Sequence, residues 1–257
     1  MSTPSGHVRH VTPEEVTRFL AADPVGNVEL LCALRYDHAI QCIGVVRGGA
    51  LAGVLVAAQE DGDNALTARF EAADGAALAP LIVACPPDAR RIVVHRAWML
   101  PALTTAFSLI PEQRSESVFF ATAAVALPAS PTVRLLTIAD AAIVAASATM
   151  GGGKGFIDAL AQGFRPFGVL TDDRLIAHAI AANATDWTEE VMSVWTAPRM
   201  RGRGLATAVV ATTAADILRR NRTAIYVAAL TNLASQRVAV KTGFQRAYET
   251  LAYRRLR

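Results

Sequence analysis

Val191-Met192-Ser193-Val194-Trp195-Thr196-Ala197-Pro198-Arg199-Met200-Arg201-Gly202-Arg203-Gly204-Leu205-Ala206 is the stretch on which the reading of this chain turns. A strand is expected over 190–196, Pro198 stops it, and the apolar spacing beyond Gly204 predicts a helix over 204–220. Glycines between a strand and a helix let the backbone come close to a ligand. The helix N-terminus then presents free N–H groups backed by about half a positive charge of macrodipole. Arg199, Arg201 and Arg203 add guanidinium charge, and the Thr207 hydroxyl sits one turn in. Such a turn suits a pyrophosphate.

Working outward, Ile225-Tyr226-Val227-Ala228-Ala229-Leu230 reads as a further strand, and Asn232 opens a helix that ends at Lys241-Thr242-Gly243-Phe244. Upstream, strands are expected at 133–137, 167–171 and 174–182, with helical segments between 139 and 163, and a final pair of strands runs to 256. His178, inside an apolar strand, reads as a satisfied sheet residue. The run Gly151-Gly152-Gly153-Lys154-Gly155 has no Ser or Thr after its Lys and no clear strand before it, so it reads as a loop between two helices and not as a phosphate loop.

Together these blocks resemble the GNAT (GCN5-related N-acetyltransferase) family. Its acetyl-CoA motif is Gln or Arg, two residues, Gly, one residue, then Gly or Ala; Arg201, Gly204 and Ala206 take the defined positions, and Pro198 stands where relatives often place a proline. The resemblance implies an N-acetyltransferase with acetyl-CoA as co-substrate and no metal. It implies that Val194, Trp195 and Thr196 on the strand, Arg199, Arg201, Gly202, Arg203, Gly204, Leu205, Ala206 and Thr207 on the loop and helix start, and Asn232 and Ser235 beyond the second strand face CoA. Lys241 and Gly243 serve the helix ending, and Trp195 and Phe244 are also assigned to packing.

One family position departs. Many relatives carry a Tyr two residues before this Lys, where it protonates the leaving thiolate; here the residue is Ala239. A general acid contributes about 10² to 10⁴ in rate. Tyr226, Tyr248 and Tyr253 are candidates to replace it, with Tyr226 preferred. For the base, Glu190 opens the strand in the register of the family's acidic residue, with Glu189 and Asp186 in competition. The acceptor, a small-molecule or peptide amine, and the choice of acetyl over a longer acyl group carry no diagnostic residue.

The first half of the chain echoes the second. Cys42 to Gln59 aligns with Pro166 to Asn183 at an offset of 124, matching Gly44 with Gly168, Val45 with Val169, Leu51 with Leu175, Ala57 with Ala181 and Ala58 with Ala182. Each copy reads as a hairpin, turning at Gly48-Gly49 and at Asp172-Asp173. Each follows a capping box, Thr12-Pro13-Glu14-Glu15 and Thr137-Ile138-Ala139-Asp140. The expected class is α/β with mixed sheets: two GNAT-like domains, 1–128 and 129–257, parted near Pro128 to Pro131. After its strand at Leu66 to Glu71 the first copy carries Asp74 and no basic residue where a pyrophosphate would sit, so it is expected to be degenerate and not to bind CoA.

Composition fits this reading. The 257 residues, 53% of them hydrophobic, can fill two cores. The segment Met1 to Pro13 is polar, and the longest apolar stretches, Ala76 to Cys85 and Phe119 to Pro128, fall short of the roughly 18 residues of a membrane span. Cys32, Cys42 and Cys85 show neither zinc spacing nor an even count, so reduced thiols in a cytoplasmic protein are expected. From Arg199 to Arg257 there are 12 basic residues against Asp216 and Glu249, a local charge of +10 within a total of +3. That segment suits a ligand with several phosphates; no nucleic-acid motif accompanies it, and a monomer or homodimer is expected.

Overall fold

In the computed structural model, which describes residues 6–60, 65–112, 117–126, 132–147, 150, 152–171 and 174–256, the two hairpins of the repeat are built alike. The first copy runs β1 (His7–His10), α1 (Pro13–Leu20), α2 (Val28–Tyr36), β2 (His38–Arg47), β3 (Ala50–Gln59), β4 (Leu66–Ala72), α3 (Gly75–Val83), β5 (Ala89–Val94), α4 (Leu100–Ala106), β6 (Leu109–Pro111) and β7 (Ser117–Thr122). The second runs β8 (Arg134–Leu135), α5 (Ala141–Ala146), α6 (Gly152–Ala161), β9 (Arg165–Thr171), β10 (Arg174–Asn183), β11 (Thr188–Thr196), α7 (Leu205–Arg219), β12 (Thr223–Ala229), α8 (Leu233–Lys241) and β13 (Gln245–Arg255). Both bounds of β3 shifted by 124 are those of β10.

The packing repeats as well. A Cβ on Gly44 would stand 2.6 Å from Leu51 and 2.8 Å from Val11; one on Gly168 would stand 2.6 Å from Leu175 and 3.0 Å from Leu136. Those neighbours correspond under the same offset to within one residue, so each glycine is kept small by the same two side chains. Gly48 and Gly49 turn the first hairpin at φ 60° and 83°, values that favour glycine. The Thr12 hydroxyl accepts from Glu15 N–H while Glu15 accepts from Thr12 N–H at 2.9 Å, and Asp140 accepts from Thr137 N–H at 2.8 Å. The turn Asp172-Asp173, the divide at Pro128 to Pro131 and Gly151 lie outside the described residues.

Two compact units are formed: Met1–Ser117 with Tyr248–Arg257, and Val118–Ala247. They are not the two halves of the chain expected on either side of residue 128. All of β7 but its first residue belongs to the second unit, and the end of β13 belongs to the first. In the first unit the strands lie in the order β1-β2-β3-β4-β5-β13. The β4–β5 pair is parallel, while β13 pairs antiparallel with β5 and with β6. Its core gathers Leu55, Phe70, Leu78, Leu81, Ile92 and Leu103 between the sheet and α3 and α4.

In the second unit the order is β8-β9-β10-β11-β12-β7, antiparallel from β8 to β11 and parallel between β11 and β12. Alternation along the strands sends Ala177, Ala179 and Ala181 of β10 and Val191 of β11 into a core with Val209, Val210, Ala214 and Ile217 of α7. His178, Ile180 and Met192 are therefore left on the opposite face. At the far end of α7, Asp216 accepts from Arg165 at 2.8 Å and from Arg220 at 2.9 Å, and Arg220 also holds Glu189 at 2.6 Å. These bonds pin the helix across β9 and β11.

Two expectations are corrected. The last two strands are one, since no Gly, Pro, Asn or Asp between Gln245 and Arg255 could turn the chain. From Gly152 on, the glycine run is not a loop between helices but the first turn of α6: a Cβ on Gly153 would meet Ala145 at 3.0 Å and one on Gly155 the Met150 carbonyl at 2.7 Å. Small residues there allow close packing. Among the described residues no helix is long and apolar enough to cross a membrane, and no three His, Cys, Asp or Glu side chains are placed to share a metal ion. Cys42 and Cys85 are buried thiols, pushed up to about 11 by burial, and Cys32 is half-buried.

Candidate active site

The site begins where two parallel strands part. Thr188, Glu189 and Glu190 of β11 pair with Thr223, Ala224 and Ile225 of β12, and both strands continue, to Thr196 and Ala229, beyond the last of these rungs. On its other side β11 is bulged: His178 pairs with Trp195 but Ile180 with Met192, so one extra residue lies between them on β11. Ser193 absorbs it at φ 52°, a left-handed conformation uncommon for a side-chain-bearing residue. The bulge changes which backbone groups of Ser193 to Trp195 meet the β10 ladder.

From the opened strands the chain passes through the turn Pro198–Met200 to Gly202 at φ 76° and Gly204 at φ 79°, and α7 starts at Leu205. The first bond into the helix from its N-cap runs from Ala208 N–H to the Gly204 carbonyl at 3.0 Å, so the N–H groups of Leu205, Ala206 and Thr207 have no helical acceptor. Nothing lies within 4 Å of where a Cβ would stand on either glycine. Their role is conformation and an open approach to the helix end.

A cleft of about 500 Å³ occupies the opening. It is lined by Val194, Trp195 and Thr196 of β11, by Arg201, Gly202 and Gly204 of the turn, and by Leu205, Ala206 and Thr207 of α7. Tyr226 of β12 and Asn232 and Ser235 of α8 close the other wall. The structure thus gathers these residues, all anticipated from sequence, around one space. Arg199 and Arg203 are exposed on the same turn but are not part of the lining. Met200, Ala234, Val238 and Lys241 complete the wall and were not anticipated as cleft residues; the α8 positions 234, 238 and 241 repeat at helical spacing, which could have marked that face.

Tyr226 is 2% exposed and its hydroxyl lies 2.7 Å from Ser235 Oγ. Burial first, and then the Glu190 charge, raise its pKa, while the bond to Ser235 opposes them, so the phenol stays protonated at neutral pH. Ser235 stands one turn before Ala239, which is wholly buried in the core. The Tyr226 hydroxyl therefore approaches the same face of α8 that the family's Tyr would occupy. Tyr248 and Tyr253 belong to the first unit. Glu190, half-buried, sits on the last β11–β12 rung, at the apex of the opening, and is not among the residues lining the cleft. Its competitor Glu189 is buried and committed to Arg220. Asp186 is exposed, and its carbonyl accepts from Arg222.

A second cavity, also about 500 Å³, lies on the other face of the bulge, against α6. His178, Ile180, Met192 and Phe164 line it, and it shares Val194 and Trp195 with the cleft. His178 was read as a sheet residue. It is one, but its ring also stacks on Trp195, with centroids 5.6 Å apart and planes at 23°, and borders this space. Trp195, expected both to pack and to face CoA, borders both spaces.

The first copy is built differently at the matching place. Its β3–β4 register runs unbroken from Gly53–Ala72 to Gln59–Leu66, without a bulge. Glu71 lies opposite Val54, as Trp195 lies opposite His178, and it is held by His95 at 2.8 Å and Arg96 at 2.9 Å. Asp74 caps α3, accepting from Ala77 N–H at 2.8 Å, and is paired with Arg47. A carboxylate thus occupies the N-terminus of the helix in this copy.

Residues 158–253 match the family described as GNAT acetyltransferase. No curated protein matches the sequence significantly. An acetyltransferase of the GNAT family from Colwellia psychrerythraea shares 14% identity at a TM-score of 0.65, over 98% of this chain and 100% of that one. A GCN5-related N-acetyltransferase from Sphaerobacter thermophilus shares 14% at 0.61, over 98% and 96%. A tandem GNAT protein from the clavulanic acid biosynthesis pathway shares 15% at 0.58, over 96% and 97%. At these identities the structures establish the fold. Family match, fold and internal repeat agree: residues 158–253 match the GNAT acetyltransferase family, and the chain as a whole has the fold of these structures, built as two copies.

Proposed function

We propose that the second unit transfers acetyl from acetyl-CoA to a primary amine by direct attack. The observation that carries this reading is the continuity of the cleft, from the parted strands to the uncapped N–H groups of α7. The helix end and Arg201 would hold the pyrophosphate, and the free edge of β11 would pair with the amides of the pantetheine arm. The acceptor nitrogen attacks the thioester carbonyl, and its proton passes to Glu190, directly or through water. The C–S bond then breaks and the thiolate takes the Tyr226 proton. Backbone N–H groups of the opened strand would steady the oxyanion.

Titration calorimetry with acetyl-CoA should give binding in the micromolar range. Gly204→Glu, which sets a carboxylate and a strained side chain at the helix end, should abolish it. Unbound acetyl-CoA with the unaltered protein defeats the proposal. A second reading, a CoA-binding regulatory protein without turnover, draws on Ala239, which leaves the usual acid position without a donor. Thiol release with a panel of amines decides between them.

A further inference from the structure

The second cavity meets the cleft at Val194 and Trp195, so a group lodged in it would reach the end of the cleft where acyl transfer is proposed. Its floor is the sheet face turned away from α7, made by His178, Ile180 and Met192, and Phe164 and Ala159 stand across from them. None of the described residues lining it carries a formal charge, and its polar side chains are Gln162, Ser193 and His178. The imidazole is 2% exposed and is pushed down to about 4 by burial, so it is neutral at neutral pH. A neutral ring can accept a hydrogen bond but offers no counter-charge. A second ammonium or a carboxylate on the ligand would lose its hydration here without gaining a partner, which the low dielectric makes costly.

Resting on the acetyltransferase reading above, we propose that this cavity selects the acceptor: a primary amine on an apolar, uncharged body, aromatic or branched aliphatic, with His178 as its polar contact. Polyamines, aminoglycosides and basic peptides are excluded as preferred substrates. The volume suits a small molecule, within the roughly 300–1,000 Å³ of ligand pockets.

The test compares 2-phenylethylamine and 3-methylbutylamine with 1,4-diaminobutane and spermidine, reading thiol release from acetyl-CoA. The apolar amines should exceed the diamine in kcat/KM by about a hundredfold, the discrimination expected from one uncompensated buried charge. His178→Leu should raise KM for 2-phenylethylamine by about five- to tenfold, the loss of one neutral hydrogen bond. Because His178 is buried and its replacement could disturb the fold, Met192→Glu at a half-exposed floor position provides the second arm. It should shift preference toward the diamine by about tenfold or more at unchanged acetyl-CoA affinity. Preference of the unaltered protein for diaminobutane or spermidine, transfer to none of the four, or a Met192→Glu variant with unshifted preference overturns the assignment while acetyl-CoA binding stands. Absence of acetyl-CoA binding defeats it together with the reading beneath it.

Discussion

Tyr226 is placed by β12 and not by the helix from which the family's acid comes, and its surroundings decide what it can do. Its hydroxyl is buried, bonded to Ser235 at 2.7 Å, and kept protonated by desolvation and by the Glu190 charge. A phenol in that state can donate to a departing thiolate where Ala239 cannot. Tyr226→Phe should therefore lower kcat by about 10²- to 10⁴-fold while acetyl-CoA still binds. A change within threefold, measured under saturating acetyl-CoA, would remove Tyr226 from the mechanism. Single residues also explain what sequence could and could not disclose. The placing of Arg201, Gly204 and Ala206 at a helix N-terminus was legible because a strand end, a glycine turn and a helix start are written in consecutive residues. His178 was not: its alternation with Ala177 and Ala179 is that of any strand, and the cavity it borders arises only when β10, β11 and α6 come together.

At the scale of elements, the ending of α8 shows how a glycine can be required for two reasons at once. Gly243 has φ 100°, where an L side chain is strained, and a Cβ there would stand 2.8 Å from Ala126 N and 3.1 Å from the Ala124 carbonyl. Both neighbours are backbone, held by the bond from Ala126 N–H to the Thr242 carbonyl at 3.0 Å, so neither yields cheaply. Gly243→Ala should cost about 2–5 kcal/mol, the sum of left-handed strain and overpacking. Gly163, at φ 79° with nothing within 4 Å, carries the strain alone, and Gly163→Ala should cost about 1–2 kcal/mol. Urea unfolding of the two variants checks the difference; equal losses would mean that the close approach of residues 124–126 contributes nothing. The helix stop at Gly243 was legible as a C-cap, whereas the crowding was not, because the contacting segment lies more than a hundred residues upstream. Likewise the hairpins were legible from Gly44 and Gly168, whose neighbours recur at a fixed offset, while the bulge at Ser193 follows from no local residue type that marks it.

For the whole molecule, sequence order and spatial membership part company at the last strand of each copy. The sequence reading offered a pair of strands at the end of the chain and no sheet for either β7 or β13, and the structure assigns β7 from Val118 on to the second unit and Tyr248–Arg257 to the first. The ties of the C-terminal segment are specific. Leu251 to Arg254 pair with Val94 to Arg91, Ala252 is buried, and the Arg255 guanidinium lies 4.4 Å from the Phe107 ring and bonds the Pro86 carbonyl at 3.2 Å. A chain ending at residue 247 should therefore damage the N-terminal copy, not the copy from which the residues are removed. Hydrogen exchange followed by mass spectrometry should show lost protection in peptides covering Ala89–Val94 and, through the opened edge, Leu66–Ala72. Peptides from Arg174–Asn183 should keep theirs, because β10 is paired on both sides by β9 and β11. The simpler expectation, that each half of the chain folds on its own residues, requires the opposite pattern, with β12 and β11 exposed and β5 protected. Only one of the two patterns is compatible with a C-terminal strand that completes the sheet of the first copy.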